Sequence, residues 1–142
     1  MRLVLDTNVL VAALRSPTGA SAALLDMVLA GAGTPLLTVP LVLEYEAQAG
    51  SPEQRAASEL SAAEVQAVID ALCAVGEAVE IWYLWRPQLR DPKDEMVLEA
   101  AANGRADALV TFNAHDFGAT PARFGVTLMR PQEALRRLEE ER

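Results

Sequence analysis

Met1-Arg2-Leu3-Val4-Leu5-Asp6-Thr7-Asn8-Val9-Leu10 is the stretch on which the reading of the whole chain turns. Arg2 to Leu5 is a short, mostly apolar strand pattern, and Val9 to Leu14 resumes an apolar run. A carboxylate, a hydroxyl and an amide therefore stand where a buried strand ends and a helix begins. In open α/β sheets, that carboxyl end of a strand is where ligands bind. The same residues also suit helix capping, because Asp and Thr oxygens accept from the free N–H groups of a helix start. Taken alone, the stretch favours the cap.

The 142 residues fit one domain with a single core, expected to span 1–142, with a C-terminal helix and charged tail over 131–142. Hydrophobic residues make up 51%, which excludes a disordered chain. The bulk is Ala, Leu and Val, a composition that suits helices packed on a sheet. The single cysteine, Cys73, sits in an apolar helical pattern and is expected in the core. It excludes a disulfide framework within the chain and agrees with a cytoplasmic location. Asp6 interrupts the first apolar run, so no secretory leader is expected. No apolar run approaches the ~18 residues of a membrane span, so no membrane partner is expected either.

The net charge of −8 argues against a nucleic-acid partner, since phosphate contacts come from Lys and Arg. Two routes remain open. Bound divalent cations invert a local potential, and the few arginines can gather at a site. An acidic surface equally favours a basic protein partner.

Turn clusters at Ser16–Gly19, Gly31–Gly33 and Gly50–Pro52 divide the first third of the chain. Between them the spacing predicts a helix from Ala20, a strand over Pro35–Val39 and a helix over Leu41–Ala49. Glu53–Leu60 reads as a surface helix or loop. Ser61 and Glu64 form a capping-box pattern ahead of a helix that ends at Gly76. Val79–Leu84 is a predicted strand, followed by an irregular stretch with Trp85, Pro87 and Leu89. Asp91 is a predicted N-cap with Pro92 in the first helical position, and Asn103-Gly104 closes that helix. Ala108–Thr111 and Val126–Met129 are predicted strands, with a polar loop over Phe112–Phe117 between them. A last amphipathic helix starts at Pro131. About five strands alternating with helices imply an α/β fold, a three-layer α/β/α sandwich around a mainly parallel sheet.

Four polar groups share one property: each follows a predicted strand or opens the helix after one. They are Asp6, Glu44, Asp94, and either Asn113 or Asp116. In a parallel sheet these positions fall along one edge. Capping alone leaves Glu44 unexplained, because it sits well inside its helix between Leu43 and Tyr45. Clustered carboxylates repel one another unless a cation stands among them. Such oxygen donors suit Mg²⁺ or Mn²⁺ far better than Zn²⁺. His115, the one histidine, cannot build a zinc site and reads as a surface residue. The chain has no Gly-rich phosphate loop and no Gly-x-Ser-x-Gly elbow.

These motifs resemble those of a known family. Leu-Asp-Thr-Asn-Val-Leu at 5–10 resembles the opening of PIN-domain ribonucleases, in particular the VapC-like toxins of bacterial toxin–antitoxin pairs. Val-Pro-Leu-Val-Leu-Glu-Tyr-Glu at 39–46 resembles the segment carrying the second acid, and maps it to Glu44. Asp-Pro-Lys-Asp-Glu-Met-Val-Leu-Glu-Ala-Ala at 91–101 is similar to the third motif, and maps its acid to Asp94. Leu-Val-Thr-Phe-Asn-Ala-His-Asp-Phe at 109–117 resembles the last, with one departure: Asn113 stands where many relatives carry Asp. Asp116 is the alternative fourth carboxylate.

The resemblance implies metal-dependent hydrolysis of RNA phosphodiesters. Asp6, Glu44, Asp94 and Asp116 would be the catalytic acids and would hold Mg²⁺ or Mn²⁺, with Asn113 as a further donor. Thr7, Asn8 and Thr111 would support them. Arg15, Arg90 and Lys93 are the nearest basic groups for an RNA backbone, or else solvated surface charges. The family further implies a small antitoxin that inserts into the acidic site, and a homodimer, for which the helices over Ser21–Ala30 and Ser61–Val75 are candidates. Two other functions compete. One is a PIN-like RNA- or protein-binding module weakened at Asn113. The other is a metal-dependent phosphohydrolase of a small molecule, although Asp6-Thr7-Asn8 lacks the second Asp of the usual nucleophile motif.

Overall fold

The computed structural model describes residues 1–82 and 88–141. Its central strand is β1 (Arg2–Leu5), whose Leu3, Val4 and Leu5 are fully buried or nearly so. Two helices follow, α1 (Thr7–Arg15) and α2 (Ala20–Leu29), and then β2 (Thr34–Leu37). The next segment holds α3 (Val39–Ala49), α4 (Pro52–Ser58) and α5 (Ala62–Val75) and ends in β3 (Glu77–Ala78). From residue 88 onward come α6 (Pro92–Asn103), β4 (Ala108–Val110) and α7 (Ala114–Phe117). A 3₁₀ turn (Pro121–Phe124), β5 (Thr127–Met129) and α8 (Pro131–Glu140) complete the chain's described elements.

The sheet has five parallel strands in the order β3-β2-β1-β4-β5. Leu3 pairs with Pro35 on one side and Ala108 on the other, so three apolar runs lie in register through the core. The chain steps outward from β1 to β3 and then returns to pair β4 with β1. That reversal makes the carboxyl ends of β1 and β4 the switch point, where a crevice opens. Right-handed crossovers put the helices leaving β1 and β2 on one face and α6 on the other. α2 touches α1, α5 and α8, whereas α6 touches β1, β2 and β4 and also meets α3, where Lys93 reaches Glu44. The result is the expected three-layer sandwich.

Gly76 shows why α5 delivers the chain so tightly onto the sheet. A Cβ there would meet Leu37 Cδ1 at 2.7 Å and the Pro35 carbonyl oxygen at 2.9 Å. Only glycine lets the end of α5 pass this close to β2. The predicted capping box is present, with Glu64 N–H donating to Ser61 Oγ at 3.1 Å and Ser61 N–H to Glu64 Oε1 at 3.0 Å.

Several boundaries differ from the sequence reading. The third strand is Glu77–Ala78 rather than Val79–Leu84, and residues 83 and 84 of that prediction lie outside the described residues, as do Trp85 and Pro87. The strand is displaced because Gly76 ends α5 against β2 and the ladder starts at once. The second strand stops at Leu37, because Thr38 caps α3 and turns the chain into a helix at Val39. The polar loop over Phe112–Phe117 contains the short helix α7, which buries Phe117. Cys73 is exposed, not core: the buried stripe of α5 is Val65, Ile69 and Leu72, and Cys73 falls beside it. No described helix is long and apolar enough to cross a membrane.

Candidate metal centre

Asp6 occupies the N-cap position of α1, yet its side chain makes no capping hydrogen bond. Its backbone N–H donates to the Val110 carbonyl at 2.9 Å, which fixes it against β4. Its Oδ2 accepts the Thr111 hydroxyl at 2.7 Å, and Thr111 itself is wholly buried. The same Thr111 oxygen accepts the Asn113 N–H at 2.9 Å. One hydroxyl at the end of β4 thus positions both the carboxylate of β1 and the turn that carries Asn113.

The other acids reach this edge through helix starts. Thr38 Oγ1, at the end of β2, caps α3 by accepting the Leu41 N–H at 3.2 Å. Glu44, on that helix, lines the same cavity as Asp6. Asp91 Oδ1 accepts the Lys93 N–H at 2.9 Å and caps α6, which places Asp94 in its first turn.

Two adjoining cavities meet at Asp91 and Asp94. The first, about 390 Å³, is lined by Asp6, Thr7, Asn8, Arg15, Glu44, Lys93, Asp94 and Asn113 among others. The second, about 630 Å³, holds Arg90, His115 and Asp116. The structure therefore brings Asp6, Glu44, Asp94 and Asn113 into one space and sets Asp116 just beyond Asp94. Among the described residues, no three carboxylate, imidazole or thiolate groups stand close enough to enclose an ion as they are. Charge explains the spread. Glu44 Oε1 stands 3.7 Å from Lys93 Nζ. Lys93 is mostly exposed, so this pair holds by less than about 1 kcal/mol and is readily exchanged.

The carboxyls at the centre are strained electrostatically. Burial pushes the Asp6 carboxyl above its ordinary value, and the nearby charge of Asp116 adds to it, while the Thr111 hydroxyl opposes the rise. Burial also pushes Asp94 up to about 6, helped by the charges of Asp6, Asp91, Asp116 and Glu95. Anionic oxygens crowded in this way fit a hard divalent cation, which would relieve the repulsion that raises them.

Linkage makes this visible as stability. The folded pKa of Asp94, about 6, exceeds its ordinary 3.8, so the folded chain binds that proton more tightly than the unfolded chain does. Stability therefore falls as pH rises through that window, and the penalty is complete above it. With allowance for solvent screening of a half-exposed group, the penalty is on the order of 1 kcal/mol. Without metal, the melting temperature of the wild type should drop between about pH 4 and about pH 7 more than that of Asp94→Asn. Equal slopes in the two proteins contradict the assignment.

The sequence reading missed two groups that build this edge. Tyr45, fully buried beside Glu44, donates its hydroxyl to the Leu5 carbonyl at 2.5 Å and ties α3 to the strand just before Asp6. Burial pushes that phenol far above its ordinary range. Its signal in the sequence was a Tyr next to Glu44 on the inward side of a helix. Glu95, nearly buried, accepts the N–H groups of Gln88 and Leu89 at 2.6 and 2.8 Å. It holds the strap over 88–91 that walls the second cavity. Tyr45→Phe should cost about 1 kcal/mol in urea denaturation, because it leaves a buried carbonyl short of a donor. An unchanged midpoint and slope would show the bond carries nothing.

No curated protein matches the chain. The sequence profile of the PIN domain matches residues 2–115, a span that takes in Asp6, Glu44, Asp94 and Asn113 and stops just short of Asp116. With that match over most of its length and a five-stranded parallel sheet carrying its acids on one edge, the chain belongs to the PIN domain family.

Proposed function

We propose that the protein is a Mg²⁺- or Mn²⁺-dependent endoribonuclease, and that it acts in the cytoplasm as the VapC-like toxin of a toxin–antitoxin pair. PIN domains are nucleases as a family and typically use divalent metals. The observation that carries the reading is placement: Asp6, Glu44, Asp94 and Asn113 line one cavity at the carboxyl edge of the sheet, within the span that matches the PIN domain.

Asp6, Asp94 and Glu44, with Asp116 or Asn113, would hold Mg²⁺ or Mn²⁺, which would supply a water of low pKa and neutralise phosphoryl charge. The protein's own part is positioning. Thr111 holds Asp6 in one rotamer by its 2.7 Å hydrogen bond, and Tyr45 anchors the strand beneath it. Lys93 leaves Glu44 for an RNA phosphate at little cost, since their pair is solvated. Arg15 and Arg90 line different cavities on either side of Asp94, and so suit phosphates on opposite sides of the cut.

The antitoxin of this reading places a basic side chain among the same carboxylates, where a charge-assisted pair is strongest. A homodimer would use the exposed Val39 and Leu43 of α3 rather than α2, whose apolar side already packs on α1, α5 and α8.

The ion pair of Lys93 with Glu44 favours one other reading, a binding module with weakened catalysis. A single-stranded RNA incubated with Mn²⁺, and in parallel with EDTA, separates the two. The nuclease cuts only with the metal; a module binds the RNA and leaves it whole in both.

A further inference from the structure

The cavity lined by Asp6, Glu44 and Asp94 also takes in two cations, Lys93 and Arg15. The two differ in one respect. Lys93 Nζ stands 3.7 Å from Glu44 Oε1, whereas Arg15 has no ion pair among the described residues. Lys93 joins two helices in this way. Its backbone N–H is fixed at the start of α6 by Asp91 Oδ1 at 2.9 Å, and Glu44 sits in the middle of α3. The pair is uneven in exposure: the Glu44 side chain is 15% exposed and that of Lys93 60%. The carboxylate is largely sheltered, while the ammonium, on its flexible four-carbon stem, is free to swing into water.

We infer that Lys93 is a built-in counter-cation, which competes with the divalent metal for Glu44 and gives way when RNA binds. The inference rests on the ribonuclease reading above and adds how that site is regulated. Carboxylates gathered in one cavity favour any positive charge nearby. The Lys93 ammonium and a divalent cation at Glu44 repel each other, so each weakens the other's hold on the carboxylate. An RNA phosphate offers the ammonium another anion, and a pair this solvated exchanges partners at little cost. With Lys93 on the phosphate, Glu44 is left to the metal. Metal and RNA then favour each other through one side chain, and by linkage each raises the affinity of the other by the same factor. The site holds its metal loosely without RNA and firmly with it.

The test measures binding, not cutting. Mn²⁺ titrated into the protein alone, with the free ion counted by electron paramagnetic resonance, gives the metal affinity. Lys93→Met should bind Mn²⁺ about fivefold tighter than the wild type, the scale of one solvated pair. Lys93→Arg keeps the charge and should stay within about twofold of the wild type. Arg15→Met removes the cation that pairs with no carboxylate and should shift the affinity by less than about twofold. A second measurement takes the affinity for a short single-stranded RNA in EDTA, by fluorescence anisotropy. Glu44→Gln frees Lys93 and should tighten that binding about fivefold, but by less than about twofold in a Lys93→Met background. Mn²⁺ affinity that is unchanged or weaker in Lys93→Met overturns the inference, the weaker case showing that Lys93 only braces Glu44. A shift in Arg15→Met as large as in Lys93→Met overturns it too. So do a Glu44→Gln gain that Lys93→Met leaves intact and RNA that binds none of the proteins. The nuclease fails differently: RNA left whole with Mn²⁺ refutes cleavage whatever Lys93 does to the metal. A series in which no protein binds Mn²⁺ removes the metal centre, and the competition with it.

Discussion

Asp6→Asn should lower RNA cleavage about a thousandfold and, in the same protein, raise the melting temperature measured without metal. Both effects follow from one buried charge. Asp6 is only 7% exposed, and burial together with Asp116 pushes its carboxyl up, so the folded chain carries the anion at a cost. Asparagine keeps the volume, and its Oδ1 still accepts the Thr111 hydroxyl. The charge disappears, and with it the repulsion toward Asp94. A gain of about 1 kcal/mol is expected, of the kind seen where function is built on destabilised groups. Losing one anionic donor to a cation that stabilises the transition state removes about 4 kcal/mol, which is the thousandfold. Calorimetry and a cleavage assay on one preparation check the pair of effects. A variant that melts lower and still cuts would show that Asp6 is a structural residue.

Thr111→Val should act in the opposite sense on stability and in the same sense on activity. Valine matches threonine in shape and removes only the hydroxyl. That hydroxyl donates to Asp6 Oδ2 at 2.7 Å and accepts the Asn113 N–H at 2.9 Å. A buried carboxylate then loses its donor, which costs about 1–3 kcal/mol. The Asp6 carboxyl moves further up, because the hydroxyl is the largest influence opposing burial there. Cleavage should fall about 10–100-fold, the usual cost of losing a residue that orients a metal ligand. Thr111→Ser restores the oxygen and should restore most of both. In the double variant with Asp6→Asn the stability loss should shrink, since the charged partner is gone. If Thr111→Ser fails to rescue, the effect lies in packing and not in the hydrogen bond.

The edge that carries Asp6 was legible because of how a parallel sheet is made. Apolar runs of strand length, each followed by a helix signal, put Asp6, Glu44, Asp94 and Asn113 on one side without any knowledge of contacts. Helix starts were legible for the same local reason at Ser61 and Asp91, which cap with their own side chains a few residues on, whereas Thr38, read as strand, caps α3. What escaped depends on distant partners. Tyr45 looks like any apolar helix residue until Leu5 is brought to its hydroxyl. Glu95 looks like a solvated acid until the strap at Gln88 and Leu89 folds over it. Cys73 reads as core by its apolar neighbours, yet a shift of one position on α5 turns it outward. Glu44 was visible as an acid at the edge, but its pairing with Lys93 comes from charge, which spacing does not encode.

Mn²⁺ titrated into isotope-labelled protein tests the metal centre most directly. A paramagnetic ion broadens the NMR signals around it. At low Mn²⁺ the signals of Asp6, Asp94, Asn113 and Asp116 should vanish first, those of Arg2 and Trp82 at the opposite end of the sheet should persist, and Asp6→Asn should abolish the pattern. Broadening that begins elsewhere, or that survives Asp6→Asn unchanged, would contradict a cation held at this edge.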